Sequence, residues 1–260
     1  MNTTGILHPV AGLRAFDLHR ERSPADLAPF VEWIWSVRWA LPAGAEYEQA
    51  TLPFPCTHLV WEEGRYRVHG PRTKRFIARL AGTDSVLGIR FRPAGFSAFS
   101  TAPMRRLVDR VMSVEEALGV EPPPAASSVE AARDHMVGLL RARRPRASAA
   151  LALANRVVAA AEQDPALTRA AQLARIAGCS VRSLHRLLER HVGVGTKWIV
   201  RRARVQAAAE RVARGEAVDW AGLAVELGYA DQAHLIRDFR DQVGETPAAY
   251  AARCAAAARA

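Results

Sequence analysis

The sequence predicts an α+β protein: a β-rich region followed by an all-α region. Three observations carry this. Residues 1–118 hold short runs rich in Val, Ile, Trp and Phe, separated by Gly and Pro, the pattern of strands and turns. Residues 148–255 carry apolar residues at helical spacing instead. Between them, residues 119–147 open with three consecutive prolines, Pro122–Pro124, which make a stiff, exposed connector. The length of 260 residues allows two ordinary domains, and 50% hydrophobic residues are enough for a core.

In chain order, "MNTTGILHPV" has neither the basic start nor the apolar run of a secretory leader. No stretch approaches ~18 apolar residues, so no membrane span is expected. "SPADLAPF" at Ser23–Phe30 reads as a short helix, with Ser23 as its cap and Pro24 in its first position. The runs "FVEWIWSVRWAL", "THLVWEEG", "RYRVHG", "RFIARLAG" and "SVLGIRFRP" read as strands. In the first of them Val31, Trp33, Trp35, Val37 and Trp39 alternate, which predicts one face in the core. Evenly spaced short strands suggest an antiparallel sheet or small barrel. "MRRLVDRVMSVEEAL" at Met104–Leu118 has helical spacing.

A linker helix is expected from Ser128 to Arg143, with Val129, Ala132, Met136, Val137 and Leu140 on one side. That stripe fits either a contact between two copies of the chain or docking on its own domain.

The all-α region contains one pattern written twice. Leu173-Ala174 and Gly178 recur as Leu223-Ala224 and Gly228, at an offset of 50; Leu184, Arg186 and Gly193 recur as Leu235, Arg237 and Gly244, at 51. The repeat indicates a duplicated structural unit. Each copy reads as helix, tight turn, helix. Gly178 and Gly228 can take the positive φ that ends a helix, and Ser180 and Asp231 are good N-caps for the next. Two helices joined by such a turn form a helix-turn-helix, whose second helix enters the DNA major groove. The polar faces suit that role, because Arg bonds guanine bidentately and Gln bonds adenine. A solvated helix face is the plain alternative for one such helix; two copies with matched turns and arginines favour DNA. "TKWIVRRARVQAAAERVARG" (Thr196–Gly215) fits a rigid helix joining the two units, with Arg201, Arg202 and Arg204 placed to reach phosphates.

"GYADQAHLIRDFRDQVGETPAAY" at Gly228–Tyr250 resembles the signature of the AraC/XylS family of transcription regulators. The first unit matches more loosely: Leu188 stands where the family often has Phe, and "GVGTKWI" replaces the usual Gly-x-Ser-Pro. The resemblance covers about residues 150–253. It implies that Arg182, His185 and Arg186 face bases in one groove, and Gln232, Ala233, Ile236 and Arg237 in the next. The N-terminal region, through "HLVWEEGRYRVHGPRTKRF" and "LGIRFRPAGFSAF", resembles the cupin-like domains found on some of these regulators. That resemblance implies a barrel or sheet that senses a small molecule, mediates dimerisation, or both. A small barrel can enclose one ligand, and aromatic walls with a few polar groups suit a pocket. Trp33, Trp35, Cys56 and Trp61 are its candidate effector-binding residues; the same tryptophans would equally serve as plain core.

The residues offer no cofactor motif: Gly82 and Gly88 form no phosphate-binding loop. His58, Glu62, Glu63 and His69 are the nearest approach to a metal set, but they lack a compact His-x-His pair. No metal, no cofactor and no catalytic residues are therefore expected, and the chain is not expected to be an enzyme. "PCTH" at Pro55–His58 resembles the Pro-Cys-His of alkyl-accepting DNA repair proteins, which carry more cysteines than this region offers. Cys56, Cys179 and Cys254 form no disulfide framework, which fits a reducing, cytoplasmic setting. The net charge of +10 suits a polyanion, but the excess is spread over all three regions.

These observations predict a sequence-specific transcription regulator. Its expected partners are double-stranded DNA, a small-molecule effector, a second copy of the chain, and RNA polymerase if it activates; no membrane partner is expected. The competing readings are an enzyme or alkyl-transfer repair protein delivered to DNA by the helices, and a non-specific nucleoid-type binder.

Overall fold

The computed structural model describes residues 6–100, 102–214 and 218–259. A short helix α1 (Pro9–Ala15) precedes eight strands: β1 (Asp17–Arg22), β2 (Val31–Ala40), β3 (Glu46–Thr51), β4 (His58–Glu62), β5 (Arg65–His69), β6 (Phe76–Ala81), β7 (Thr83–Phe91) and β8 (Val111–Ser113). Ten helices complete the described chain, the other nine being α2 (Val114–Leu118), α3 (Val129–Ala142), α4 (Ala149–Gln163), α5 (Ala170–Ala177), α6 (Val181–His191), α7 (Thr196–Ala213), α8 (Trp220–Glu226), α9 (Gln232–Val243) and α10 (Pro247–Arg259). The result is the expected β-rich region followed by a helical one.

The strands form an antiparallel six-stranded sheet in the order β1-β2-β7-β4-β5-β8 and a two-stranded sheet of β3 and β6. All five strands expected from apolar runs are present. β1 and β3 escape that pattern because they are polar: "DLHRER" and "EYEQAT" hold few apolar residues, and Gln49 is the one buried side chain of the two strands. Their partners β2 and β6 supply the apolar side of each pairing.

Two expected helices are absent. Ser23–Phe30 is a series of turns, with Leu27 N–H bonded to the Pro24 carbonyl and Phe30 N–H to that of Leu27. Ser23 donates to the Pro24 carbonyl instead of capping a helix. Met104–Leu118 is a 3-10 turn, a strand and one short helix. Asp109 breaks the helical pattern at φ 57, its N–H bonding the Pro71 carbonyl at 2.8 Å. Residues 111–113 then pair with β5. A tertiary ladder thus overrides a local propensity worth only tenths of a kcal/mol per residue.

A register shift between Val31 and Trp33 divides β2. Val31 and Ile34, both 1% exposed, join the main core. Trp33, Trp35, Val37 and Trp39 point to the other side, toward the small sheet. The alternation read from sequence is real, but its tryptophan face lines a cavity and does not form the solid core.

That solid core continues into the helical region. One buried cluster takes in Ile34, Leu59, Ile89 and Phe91 of the sheet, Met136 and Leu140 of α3, Val157 and Val158 of α4, and Leu184 and Leu188 of α6. The apolar stripe of α3 is therefore spent on its own chain and is not free to join two copies. A second cluster holds Leu223, Leu235, Phe239 and Tyr250 together with Leu7 and Leu52 from the N-terminal region. Polar contacts reinforce the join: Asn155 accepts from Ala94 N–H at 2.8 Å, Arg75 donates to the Val243 carbonyl at 3.2 Å, and His8 meets Glu245 at 2.8 Å.

Candidate functional site

The first two-helix unit is α5 and α6. Gly178, at φ 64, turns the chain out of α5, and Ser180 Oγ accepts from Ser183 N–H at 3.1 Å to start α6. Leu184 and Leu188, both 0% exposed, fix one face of α6 in the core. Arg182, His185 and Arg186 lie on the exposed side. Neither arginine has an intramolecular ion pair or hydrogen bond among the described residues. His185 is steadied by Glu189, one turn on, at 3.4 Å, and its ring lies where a side chain at Gly195 would have to go.

The second unit, α8 and α9, repeats the geometry. Asp219 accepts from Ala221 and Gly222 N–H at 3.1 Å to open α8. Gly228 takes φ 69, and Asp231 accepts from His234 N–H at 2.6 Å to open α9. Leu235 and Phe239 are fully buried, while Gln232, Ala233 and Arg237 are exposed and Ile236 is half-buried. All seven residues expected to face DNA thus stand on two helix faces turned away from the apolar core. Unpaired cations at such positions have their donors available for phosphate or base edges.

α7 joins the units, and here an expectation is corrected. Arg201, Arg202 and Arg204 do not reach outward. Arg201 pairs with Asp238 at 2.9 Å and with Asp241 at 2.6 Å, holding α7 to α9. Arg204 stacks on the Tyr229 ring at 3.6 Å. Arg202 is 1% exposed; its Nε donates to the Pro53 carbonyl at 2.8 Å and its Nη1 to Glu162 at 2.7 Å. The periodicity of α7 hid this, because the sequence gives no sign that a buried arginine has partners 149 residues earlier. Gly215, the expected end of this helix, lies outside the described residues.

Between the two sheets lies a cavity of about 570 Å³, within the ~300–1,000 Å³ usual for small-molecule sites. Trp33, Trp35 and Cys56 line it, as do Trp39, Phe54 and Phe76. Trp61 does not. On β4 the side chains alternate, so His58, Val60 and Glu62 face the cavity while Leu59 and Trp61 pack toward the main core. Arg90, missed in the sequence, is a buried cation of the cavity wall, paired with Glu32 at 2.7 Å and stacked on Phe54 at 4.0 Å. An arginine in an otherwise apolar strand was the available signal. Gly88 leaves room for the Trp35 indole, which a Cβ there would meet at 2.3 Å.

The polar groups of the cavity are tied to one another. Trp35 Nε1–H donates to His58 Nδ1 at 3.2 Å, and His58 Nε2 lies 3.4 Å from Cys56 Sγ. His69 meets Glu62 at 2.9 Å, while Glu63 is exposed in the turn after β4. Among the described residues no group of three His, Cys, Asp or Glu side chains is placed to hold a metal ion. Burial pushes the Cys56 thiol up to about 11, so it is not a thiolate at neutral pH.

Burial, aided by the charges of Arg90, His69, Arg20 and Arg72, holds His58 well below the usual imidazole range. The folded chain keeps this ring neutral, while the unfolded chain protonates it below pH ~6.5. The unfolded state then binds more protons, so stability should fall as pH drops from 7 toward 5.5. His8 and His191, also lowered by burial, act in the same direction. In thermal melts across that range, His58→Gln should show a smaller drop than the unaltered chain, because its amide cannot titrate.

Residues 173–253 match the helix-turn-helix domain family, and residues 19–113 match a domain of unknown function (DUF6597). No curated protein matches the chain. Among solved structures, a probable AraC family transcriptional regulator from Rhodopseudomonas palustris is 23% identical with a TM-score of 0.36, covering 39% of this chain and 96% of its own. ToxT from Vibrio cholerae is 11% identical with a TM-score of 0.41, covering 93% of this chain and 98% of its own. An unsaturated fatty acid bound form of ToxT is 11% identical with a TM-score of 0.38, covering 96% of both chains. No helix of the described residues is long and apolar enough to cross a membrane. With its duplicated two-helix units, the α7 helix between them and the Gly228–Tyr250 motif all inside the matched region, the C-terminal part of the chain is a helix-turn-helix domain.

Proposed function

We propose that this regulator reads a specific DNA site with α6 and α9, and that a small molecule held between the two sheets modulates that reading. The observation that carries it is the pairing of two exposed, arginine-bearing helix faces on one connecting helix. Arg182, His185 and Arg186 serve one major groove; Gln232, Ala233, Ile236 and Arg237 serve the next, ~34 Å along the same DNA face. Discrimination comes from these side chains, with register fixed by phosphate contacts.

Cavity and readers share a wall. Phe54 lines the cavity and carries both the Arg90 guanidinium and, at 4.6 Å, that of Arg202 from α7. A ligand that displaces Phe54 would therefore load the helix that sets the spacing of the two readers. The wall is aromatic on one side and bears arginines on the other, which suits a small aromatic or apolar effector with polar substituents. Trp33, Trp35 and Cys56 belong to this pocket; Trp61 supports it from behind. A sacrificial or catalytic role has no support in a buried, protonated Cys56, so the proposal is a non-enzymatic regulator acting in the cytoplasm, where its three free thiols are at home.

Selection of bound sequences from a random DNA pool by the full chain tests the DNA half. One recurrent site is expected, with log affinity falling by ~0.9 per phosphate neutralised for each decade of salt. No enriched sequence, or a nearly flat salt dependence, would remove it. A metabolite library scanned by thermal shift and tryptophan fluorescence tests the effector half. An occupant at 100 times its dissociation constant should add ~2.7 kcal/mol of stability; no shift by any compound would leave the cavity without this role.

A further inference from the structure

The repeat register of the two units also pairs the first residues of α6 and α9. At the offset of 51, Gln232 on α9 corresponds to Val181 on α6. Each is the first residue of its helix, directly after a side chain that caps it. Val181 is one of the few large apolar side chains left in the open, 43% exposed. The core does not use it: Leu184 and Leu188 of the same helix are at 0%. Ser183, two residues on, is exposed as well, but its hydroxyl is engaged with Ser180 Oγ at 2.9 Å.

The outward face of α6 would otherwise be wholly polar. Arg182, His185 and Arg186 can address oxygen and nitrogen atoms of base edges, but the thymine 5-methyl is an apolar feature of the major groove. On α9, Ala233 and Ile236 can meet such a methyl; on α6 only Val181 offers exposed methyl groups at the groove-facing start of the helix. The capped, β-branched side chain is also stiff at χ1, so it presents those methyls with little further ordering cost.

We infer that Val181 is a specificity-determining residue of the first reader, and that it recognises a 5-methylpyrimidine, thymine in ordinary DNA. The inference rests on the DNA-reading proposal above. The test uses the full chain and the site selected from the random pool. Each thymine of the half bound by α6 is replaced in turn by deoxyuridine, which removes only the methyl. At one position the replacement should weaken binding by about three- to fivefold for the unaltered chain. Val181→Ala should bind thymine-containing DNA that much more weakly and show no further loss at that position. Val181→Thr, which keeps a methyl branch, should retain part of the sensitivity and so guards against a folding artefact. The inference is overturned if every deoxyuridine replacement weakens both proteins equally, or if none matters. Absence of any selected site would instead defeat the DNA-reading proposal, and this inference with it.

Discussion

Replacing Arg186 and Arg237 together by alanine is expected to cost ~2–6 kcal/mol of affinity at the selected site. Each arginine contributes ~1–3 kcal/mol if it contacts a base bidentately, and residues on separate units add. Both are exposed and without intramolecular partners among the described residues, so the fold should be unchanged. Their register is enforced rather than incidental: Leu184 and Leu188 bury one side of α6, Leu235 and Phe239 one side of α9, and the arginines follow two residues after Leu184 and Leu235 in each. Titrations on the selected DNA and on a scrambled duplex decide the role. A large loss on the first and a small one on the second identifies base readers. Equal losses on both would make these side chains phosphate clamps and move specificity elsewhere.

Arg202→Met should have the largest effect on stability. The guanidinium is almost wholly buried, and removing it leaves Glu162 and the Pro53 carbonyl without their partner. Breaking a buried pair costs ~3–5 kcal/mol; the lower end is expected because Glu162 keeps 29% of its side chain exposed. At this chain length each kcal/mol lowers the unfolding midpoint by ~2–4 °C. The double variant Arg202→Met/Glu162→Gln should recover part of the loss, since it removes the stranded carboxylate. A melting temperature unchanged in Arg202→Met would mean that the contact to Pro53 holds nothing together.

The two outcomes divide along what the residue pattern could reveal. Helix limits, caps and outward faces of the duplicated units were legible, because each depends on residues within a few positions of one another: Gly178 with Ser180, Gly228 with Asp231. Apolar strands were legible by the same local rule. Polar β1 and β3 were not, since they owe their conformation to partners. The helix expected at Met104–Leu118 failed for the same reason, as β5 claims residues 111–113. Alternation along β2 put Trp33 and Trp35 on one face, and that face lines the cavity, yet Trp61 falls on the opposite face because strand phase, not residue type, decides direction. Arg90 left one trace, a lone arginine in an otherwise apolar strand, but Arg202 was unreadable as a structural residue: a buried arginine among others on a helix looks the same in sequence as a DNA-binding one until its partners are known.

The union of the two regions also imposes an order on biosynthesis. Pro53 meets Arg202 across 149 residues, and His8 meets Glu245 across 237. Leu7 and Leu52 share their buried cluster with Val205 and residues after it. A chain emerging from the ribosome therefore completes its sheet long before it can cover these surfaces, and carries them uncovered until α7 to α10 have been made. Exposed apolar surface of that kind is where chaperones bind and where nascent chains associate wrongly. The contacts that link the cavity to the readers in the finished protein are, during translation, its period of greatest vulnerability.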